Sequence, residues 1–141
     1  MTDMNEPGYV NWRPETDGDG ILWLCLDKAE GSANVLSEEV LREFEQIIAG
    51  IEAEPPRGLV IWSGKTNGFV MGADINEFTT IETADQGYEL IRIGQQLFER
   101  VERLRCPSVA VFNGFALGGG LELAMACTYR IALDTSKPIV G

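Results

Sequence analysis

The sequence predicts an α/β domain in which buried strands alternate with crossover helices, and three observations carry that expectation. Residues 58–63 (GLVIWS) and 107–112 (PSVAVF) are short, unbroken apolar runs, as expected of parallel strands buried on both faces. Before and between them, apolar residues recur at helical spacing. A glycine triplet, Gly118-Gly119-Gly120, then runs straight into a third apolar helical pattern. Strand, helix, strand, helix, strand, helix, strand is the resulting order.

Taken in order, residues 1–17 are polar and weakly patterned and read as an N-terminal extension, with the domain occupying 18–141. Residues 20–27 (GILWLCLD) read as a strand, with 9–12 as its candidate partner. Residues 28–36 form a loop. Ser37 is placed to cap a helix whose first turn holds Glu38 and Glu39, where the helix dipole favours acids. Its apolar face is Val40, Leu41, Phe44, Ile47, Ile48 and Ile51, and Pro55-Pro56 ends it. After the 58–63 strand comes a loop over 64–72 with three glycines, Gly64, Gly68 and Gly72. Asp74 followed by Glu77 resembles a capping box for a short helix.

A long helix is expected over 83–104, with Ile91, Leu97, Phe98, Val101 and Leu104 as its stripe and Gly94 as a close-packing point. The 107–112 strand feeds the glycine turn and a helix over 117–128. Residues 129–133 read as a further strand and 137–141 as the start of another. Trp23 and Trp62 fall inside strands and are expected in the core. The apolar ending Ile139-Val140-Gly141 suggests a piece of a longer protein.

Composition narrows the function classes. The chain has 141 residues, enough for one domain with a core, and a formal net charge of −11. That balance opposes nucleic acid or an anionic membrane as partner, but not a small anionic ligand held by a few local cations. No apolar run is long enough to span a bilayer, and the polar, acidic first residues are unlike a signal peptide. Cys25, Cys106 and Cys127 sit at wide spacings in apolar stretches. They read as buried free thiols in a reducing, cytoplasmic setting, with no metal-ligand pattern. Histidine is absent, which removes Ser-His-Asp and Cys-His machinery and most transition-metal sites. Acid–base work near neutral pH would then fall to carboxylates, water or backbone.

The glycine triplet suggests where. Glycines at a helix start bare N–H groups at the positive end of the dipole, a place for developing negative charge. Glu122 lies three residues after Gly119, on the same helical face. The bland alternatives are a close-packing turn and a first-turn dipole partner. Asp74 reads as a helix cap rather than a catalyst, and Met71 and Phe69 as pocket wall or core.

Residues 69–75 (FVMGADI) and 113–122 (NGFALGGGLE) resemble the two signature stretches of the crotonase (enoyl-CoA hydratase/isomerase) superfamily, in the same order and separation. Residues 20–27, 33–37 (ANVLS) and 63–65 (SGK) resemble in particular the N-terminal hydratase/isomerase region of multifunctional alpha chains of fatty-acid oxidation complexes. The resemblance covers roughly 18–141. It implies a crotonase-like fold, a ββα superhelix, of which this chain carries the N-terminal part. It implies an oxyanion hole from the backbone N–H groups of Ala73 and Gly119, and Glu122 as one of two catalytic glutamates. The second would lie in a Leu-Pro-Glu-like stretch following Gly141.

By the same resemblance, CoA contacts would come from about 33–36 and 68–73, including Ala33, Asn34, Val35, Met71 and Gly72, with Gly118 beside them. Lys28, Arg57 and Lys65 are the candidate phosphate contacts, each equally readable as a surface cation. The implied activity is hydration of trans-2-enoyl-CoA, with Δ3,Δ2-enoyl-CoA isomerisation, and neither needs a metal or redox cofactor. NAD would belong to a 3-hydroxyacyl-CoA dehydrogenase region not contained in this sequence, which has no GxGxxG. An oligomer and a thiolase beta subunit are the implied partners. A catalytically inactive fragment, its second glutamate lying beyond residue 141, or an acyl-CoA-binding or assembly domain is the competing reading.

Overall fold

The structure, a computed structural model, describes residues 8–74, 77, 79–135 and 139–141. Residues 1–7, most of the short helix expected after Asp74, and the start of the strand expected at 137 lie outside the described residues. The described residues form β1 Trp12–Thr16, β2 Ile21–Leu26, α1 Glu38–Ala53, β3 Gly58–Ser63, β4 Gly68–Val70, α2 Ala84–Glu102, β5 Ser108–Phe112, β6 Phe115–Ala116, α3 Gly119–Ala126 and β7 Tyr129–Ala132. The main sheet runs β1-β2-β3-β5-β7, and β4 and β6 pair separately. β1 is antiparallel to β2, and every other pairing in the main sheet is parallel. Crossover helices therefore join β2 to β3, β3 to β5 and β5 to β7, the α/β arrangement expected.

β1 departs from the expectation that residues 1–17 stand outside the domain. Its five residues pair in full register with β2, from Trp12 opposite Leu26 to Thr16 opposite Leu22. It is polar and contains Pro14, which an edge strand tolerates because one side of its backbone needs no partner. Trp12 anchors it: the indole is 1% exposed, stacks on Phe44 at 4.8 Å and donates to the Val40 carbonyl at 2.9 Å. Glu43, on the same helix, accepts from the backbone N–H groups of Val10 and Asn11 and from Asn11 Nδ2.

One face of the main sheet carries the core. Alternate residues Leu22, Leu24, Leu26, Leu59 and Ile61 join the α1 stripe Val40, Phe44, Ile47, Ile48 and Ile51 in one apolar cluster. Ser37 caps α1 as expected, accepting from the Val40 N–H. The other face is open. Trp23 is 43% and Trp62 38% exposed, so neither is core; the indole that is buried is Trp12. The continuous apolar runs predicted burial on both faces, but the helices cover one face alone, and neighbours in a strand alternate accordingly.

All three cysteines are buried and free. Burial pushes the Cys127 thiol up to about 11. Among the described residues no helix is long and apolar enough to cross a membrane.

Candidate functional site

The site lies beyond the ends of β2, β3 and β5, the end of a parallel sheet where loops gather ligands. Its frame is the loop at 33–36. Asn34 is 1% exposed, and its amide ties four segments together. Nδ2 donates to the Leu26 carbonyl, Ser63 Oγ and the Phe69 carbonyl at 2.9, 2.9 and 3.0 Å, and Oδ1 accepts from the Lys28 N–H. The main chain then zips to the next segment: Met71 donates to the Asn34 carbonyl at 2.8 Å and Leu36 to the Gly72 carbonyl at 2.7 Å. An isolated parallel bridge pairs Leu36 with Ala73. Both stretches expected to meet CoA are thus joined by hydrogen bonds.

The glycine turn packs on that pair. β4, absent from the sequence expectation of a plain loop over 64–72, lies parallel to β6, and Leu117 donates to the Val70 carbonyl at 3.0 Å. Gly72 and Gly118 have φ of 100° and 51°, the left-handed region. A Cβ at Gly72 would fall 3.1 Å from the Leu117 oxygen and 3.6 Å from the Gly119 nitrogen, which shows how closely the two turns approach. At Gly120 a Cβ would sit 2.2 Å from the Val70 oxygen. Close packing and exposed backbone are therefore both true of this triplet, at different members. Gly141 completes the frame, accepting from the Gly118 N–H at 2.7 Å, while Val140 bridges Ala116.

At the cavity these turns border, two N–H groups are left over among the described residues. Gly119 is the first residue of α3, where a helix has no internal acceptor to offer, and the Leu36 bridge does not use the Ala73 N–H. Among the described residues neither group has an acceptor. Both residues line one cavity of about 260 Å³, and Glu122 lines it too. Its other walls are largely apolar, with Leu36, Leu41, Leu90, Ile91 and Phe98, while Asp74 and Glu77 add carboxylates on one side. Glu122 is exposed at this mouth and also borders a wider, more open cleft shared with Gly118 and Gly141. Glu77 is occupied, accepting from the Glu38 N–H at 2.8 Å at the start of α1. Gly94, expected to be a close-packing point, faces this cavity instead; a Cβ there would meet nothing within 4 Å.

The three candidate cations separate clearly. The Lys65 ammonium is 2.9 Å from Asp27 Oδ1 and donates to the carbonyls of Lys28 and Gly31 at 2.7 and 3.0 Å. All three of its N–H groups are spent holding the loop after β2. That contact, ahead of the opposing effect of burial, holds the Asp27 carboxyl below the usual range, with the Lys65 and Arg13 charges adding to it. Arg57 precedes β3, at the far end of the sheet, and donates to the Asp19 carbonyl. Lys28 is at the site end, and its ammonium makes a single long contact, 3.5 Å to the Glu30 carbonyl. Met71 is 37% exposed; Ala33 and Val35 are half-buried beside Asn34, whereas Phe69 is core. No cluster of three metal-ligating side chains occurs among the described residues.

Comparison with known proteins gives one consistent result. A family model described as enoyl-CoA hydratase/isomerase matches residues 17–140. The fatty acid oxidation complex subunit alpha of Idiomarina loihiensis is 40% identical over 128 residues, which is 90% of this chain and 18% of that protein. The Aliivibrio fischeri subunit of the same name is 39% identical over 127 residues, 89% of this chain and 18% of that one. A crystal structure of enoyl-CoA hydratase from Bacillus anthracis superposes with a TM-score of 0.80 at 31% identity, covering 86% of this chain and 47% of the other. The enoyl-CoA hydratase of Thermoplasma volcanium GSS1 superposes with a TM-score of 0.77 at 28% identity, covering 87% and 48%. The chain therefore spans under a fifth of these curated relatives and about half of the solved structures.

Proposed function

The chain belongs to the enoyl-CoA hydratase/isomerase family and has the crotonase fold, and we propose that it carries the thioester-polarising half of a trans-2-enoyl-CoA hydratase site. One observation carries the reading: the N–H groups of Ala73 and Gly119, both without acceptors among the described residues, and the Glu122 carboxylate border the same cavity. A thioester oxygen accepting from both N–H groups gains its strongest bonds as the double bond is attacked and negative charge reaches that oxygen. Glu122, on the same helix as one of the donors, is held in register with them.

The proton balance closes on this carboxylate. Water bonds through oxygen to the β carbon while its proton passes to Glu122, and the double-bond electrons move onto the thioester oxygen as an enolate. The enolate then takes a proton at the α carbon, which returns Glu122 to the carboxylate. In the isomerase variant Glu122 removes a proton from the α carbon of a 3-enoyl thioester and returns it at the γ carbon. A second carboxylate beyond Gly141, at the cleft Gly141 shares with Glu122, would divide the two proton transfers of hydration between two groups.

The 33–36 and 68–73 stretches would receive CoA through their main chains. Lys28 is the cation this reading keeps for phosphate, because Lys65 is spent and Arg57 lies at the wrong end. The names of the relatives support assigning the proposed reaction to fatty-acid oxidation. A dehydrogenase region using NAD, a thiolase beta subunit, oligomeric assembly and a cytoplasmic location belong to the same proposal, for the longer protein these relatives represent.

Crotonyl-CoA hydration, followed as loss of conjugated-thioester absorbance, tests the reading. In the longer protein that supplies the second carboxylate, Glu122→Gln is expected to lower the rate by roughly 10²–10⁴-fold with substrate binding retained. Crotonyl-CoA that binds but is hydrated neither by this chain nor by the longer protein would point to the acyl-CoA-binding class instead.

A further inference from the structure

Asn11 lies ahead of the family-matched stretch at 17–140, yet it reaches the loop that carries Lys28. It is 2% exposed and holds that loop at two points. Its carbonyl accepts from the Asp27 N–H at 2.9 Å, and its side-chain Oδ1 accepts from the Ala29 N–H at 3.0 Å. Between those points the Lys28 N–H donates to Asn34 Oδ1 at 3.0 Å, and the Lys28 carbonyl accepts from the Lys65 ammonium at 2.7 Å. The main chain of Lys28 is therefore gripped from every side, while its ammonium makes the single 3.5 Å contact to the Glu30 carbonyl. Rigid backbone under an uncommitted cation is what a charged ligand needs.

The orientation of the Asn11 amide is set from α1. Nδ2 donates to Glu43 Oε2 at 2.7 Å, and the same buried carboxylate takes the N–H groups of Asn11, at 3.1 Å, and of Val10. A carboxylate only accepts and a main-chain N–H only donates. One orientation of the amide satisfies both neighbours, with Nδ2 toward Glu43 and Oδ1 toward Ala29. Turned over, it would set donor against donor at Ala29, a costly arrangement when buried. Building on the acyl-CoA reading above, we infer that Asn11, oriented by Glu43, is a positioning residue that fixes the Lys28 loop for the phosphates of the CoA thioester.

Glu43→Gln tests this at constant shape. The new amide has one accepting atom where the carboxylate had two, so its NH2 must face a donor and Asn11 loses its fixed orientation. Adding Asn11→Asp restores the pattern with reversed polarity, because the new carboxylate accepts both from the new amide and from the Ala29 N–H. The measurement is equilibrium binding of butyryl-CoA and of butyryl-pantetheine, the same thioester arm without phosphates. The proteins are the wild-type chain, Lys28→Met, Glu43→Gln, and Glu43→Gln combined with Asn11→Asp. Lys28→Met and Glu43→Gln are each expected to weaken butyryl-CoA by roughly threefold to fivefold, the loss of one exposed charge contact, with butyryl-pantetheine unchanged. The double variant is expected to recover the wild-type ratio of the two affinities. Retained butyryl-pantetheine binding shows that a variant has folded. A folded Glu43→Gln that keeps the wild-type ratio, or a folded double variant that does not recover it, overturns the inference. If Glu43→Gln binds neither thioester, Ala29→Pro decides, since it deletes only the N–H that Asn11 Oδ1 holds, at an exposed loop position. A selective loss of butyryl-CoA there supports the inference, and an unchanged ratio overturns it. A Lys28→Met ratio equal to wild type also overturns it and leaves the acyl-CoA reading standing. A wild-type chain that binds neither thioester overturns that reading, and the inference with it.

Discussion

Lys65 and Asn34 on one side of the site, and Ala73 and Gly119 on the other, divide the work in a way their side chains do not suggest. The first pair has the chemistry a ligand would want, a cation and an amide. Yet every N–H of the Lys65 ammonium and three segments bound to Asn34 Nδ2 are committed to the fold. The second pair has no side-chain chemistry, and its main-chain N–H groups are the ones left without acceptors at the cavity. Polar side chains are spent making backbone positions rigid, and rigid backbone donors cost no reorganisation when charge develops. A side chain's usefulness to a ligand is therefore a matter of what else it already holds.

The comparison can be broken at its frame. Gly120→Ala would drive a Cβ to 2.2 Å from the Val70 oxygen and 2.7 Å from the Val70 Cβ, backbone and strand atoms that cannot step aside. A loss of about 3 kcal/mol or more is expected, read as a drop in denaturation midpoint, because overpacking here separates β4 from α3. A variant as stable as wild type would show that the two glycine turns are not pressed together as described.

A smaller effect sharpens the comparison at Lys65. Lys65→Met is expected to cost about 2 kcal/mol by releasing Asp27 and the carbonyls of Lys28 and Gly31. It should also change the response to acid. Asp27 titrates below its unfolded value when folded, so its contribution is complete above that value, near 4, and is lost as pH falls through the lower, folded one. The wild-type chain should therefore lose more stability across that acid window than Lys65→Met does. Equal acid profiles for the two proteins would contradict the assignment of Lys65 to the scaffold.

Much of this was legible in the sequence, for reasons that separate the elements. α1 and α2 announce themselves by period and cap, and β3 by an apolar run bounded by Pro56 and Gly64. The partner strand expected at 9–12 forms instead at Trp12–Thr16, overlapping only at Trp12, because WRPET has no alternation and contains a proline; its single strong signal was Trp12, whose burial depends on Phe44 thirty-two residues away. β4 and β6 are three and two residues long, below any period a sequence can display. Trp23 and Trp62 were misplaced because an apolar strand does not say which of its faces the helices will cover. Gly94 was read as a contact when it marks an opening, since absence of a side chain serves either purpose. At the site, Glu122 and the two glycine turns stood out, but the commitments of Lys65 could not be read: its partners lie on a loop more than thirty residues earlier.

The most direct test of the central claim removes one backbone donor and nothing else. Gly119 is the first residue of α3, a position where proline is well tolerated, and the nearest obstacle to a side chain there is the flexible end of Leu36. Gly119→Pro deletes the N–H, while Gly119→Ala keeps it with a comparable steric change. The measurement is the infrared frequency of the carbonyl-labelled crotonyl-CoA thioester bound to wild type, Gly119→Ala and Gly119→Pro. A lowered carbonyl frequency in wild type and Gly119→Ala that moves back toward the free value in Gly119→Pro is the expected result. The same frequency in all three bound proteins would contradict the assignment of the Gly119 N–H to the thioester oxygen.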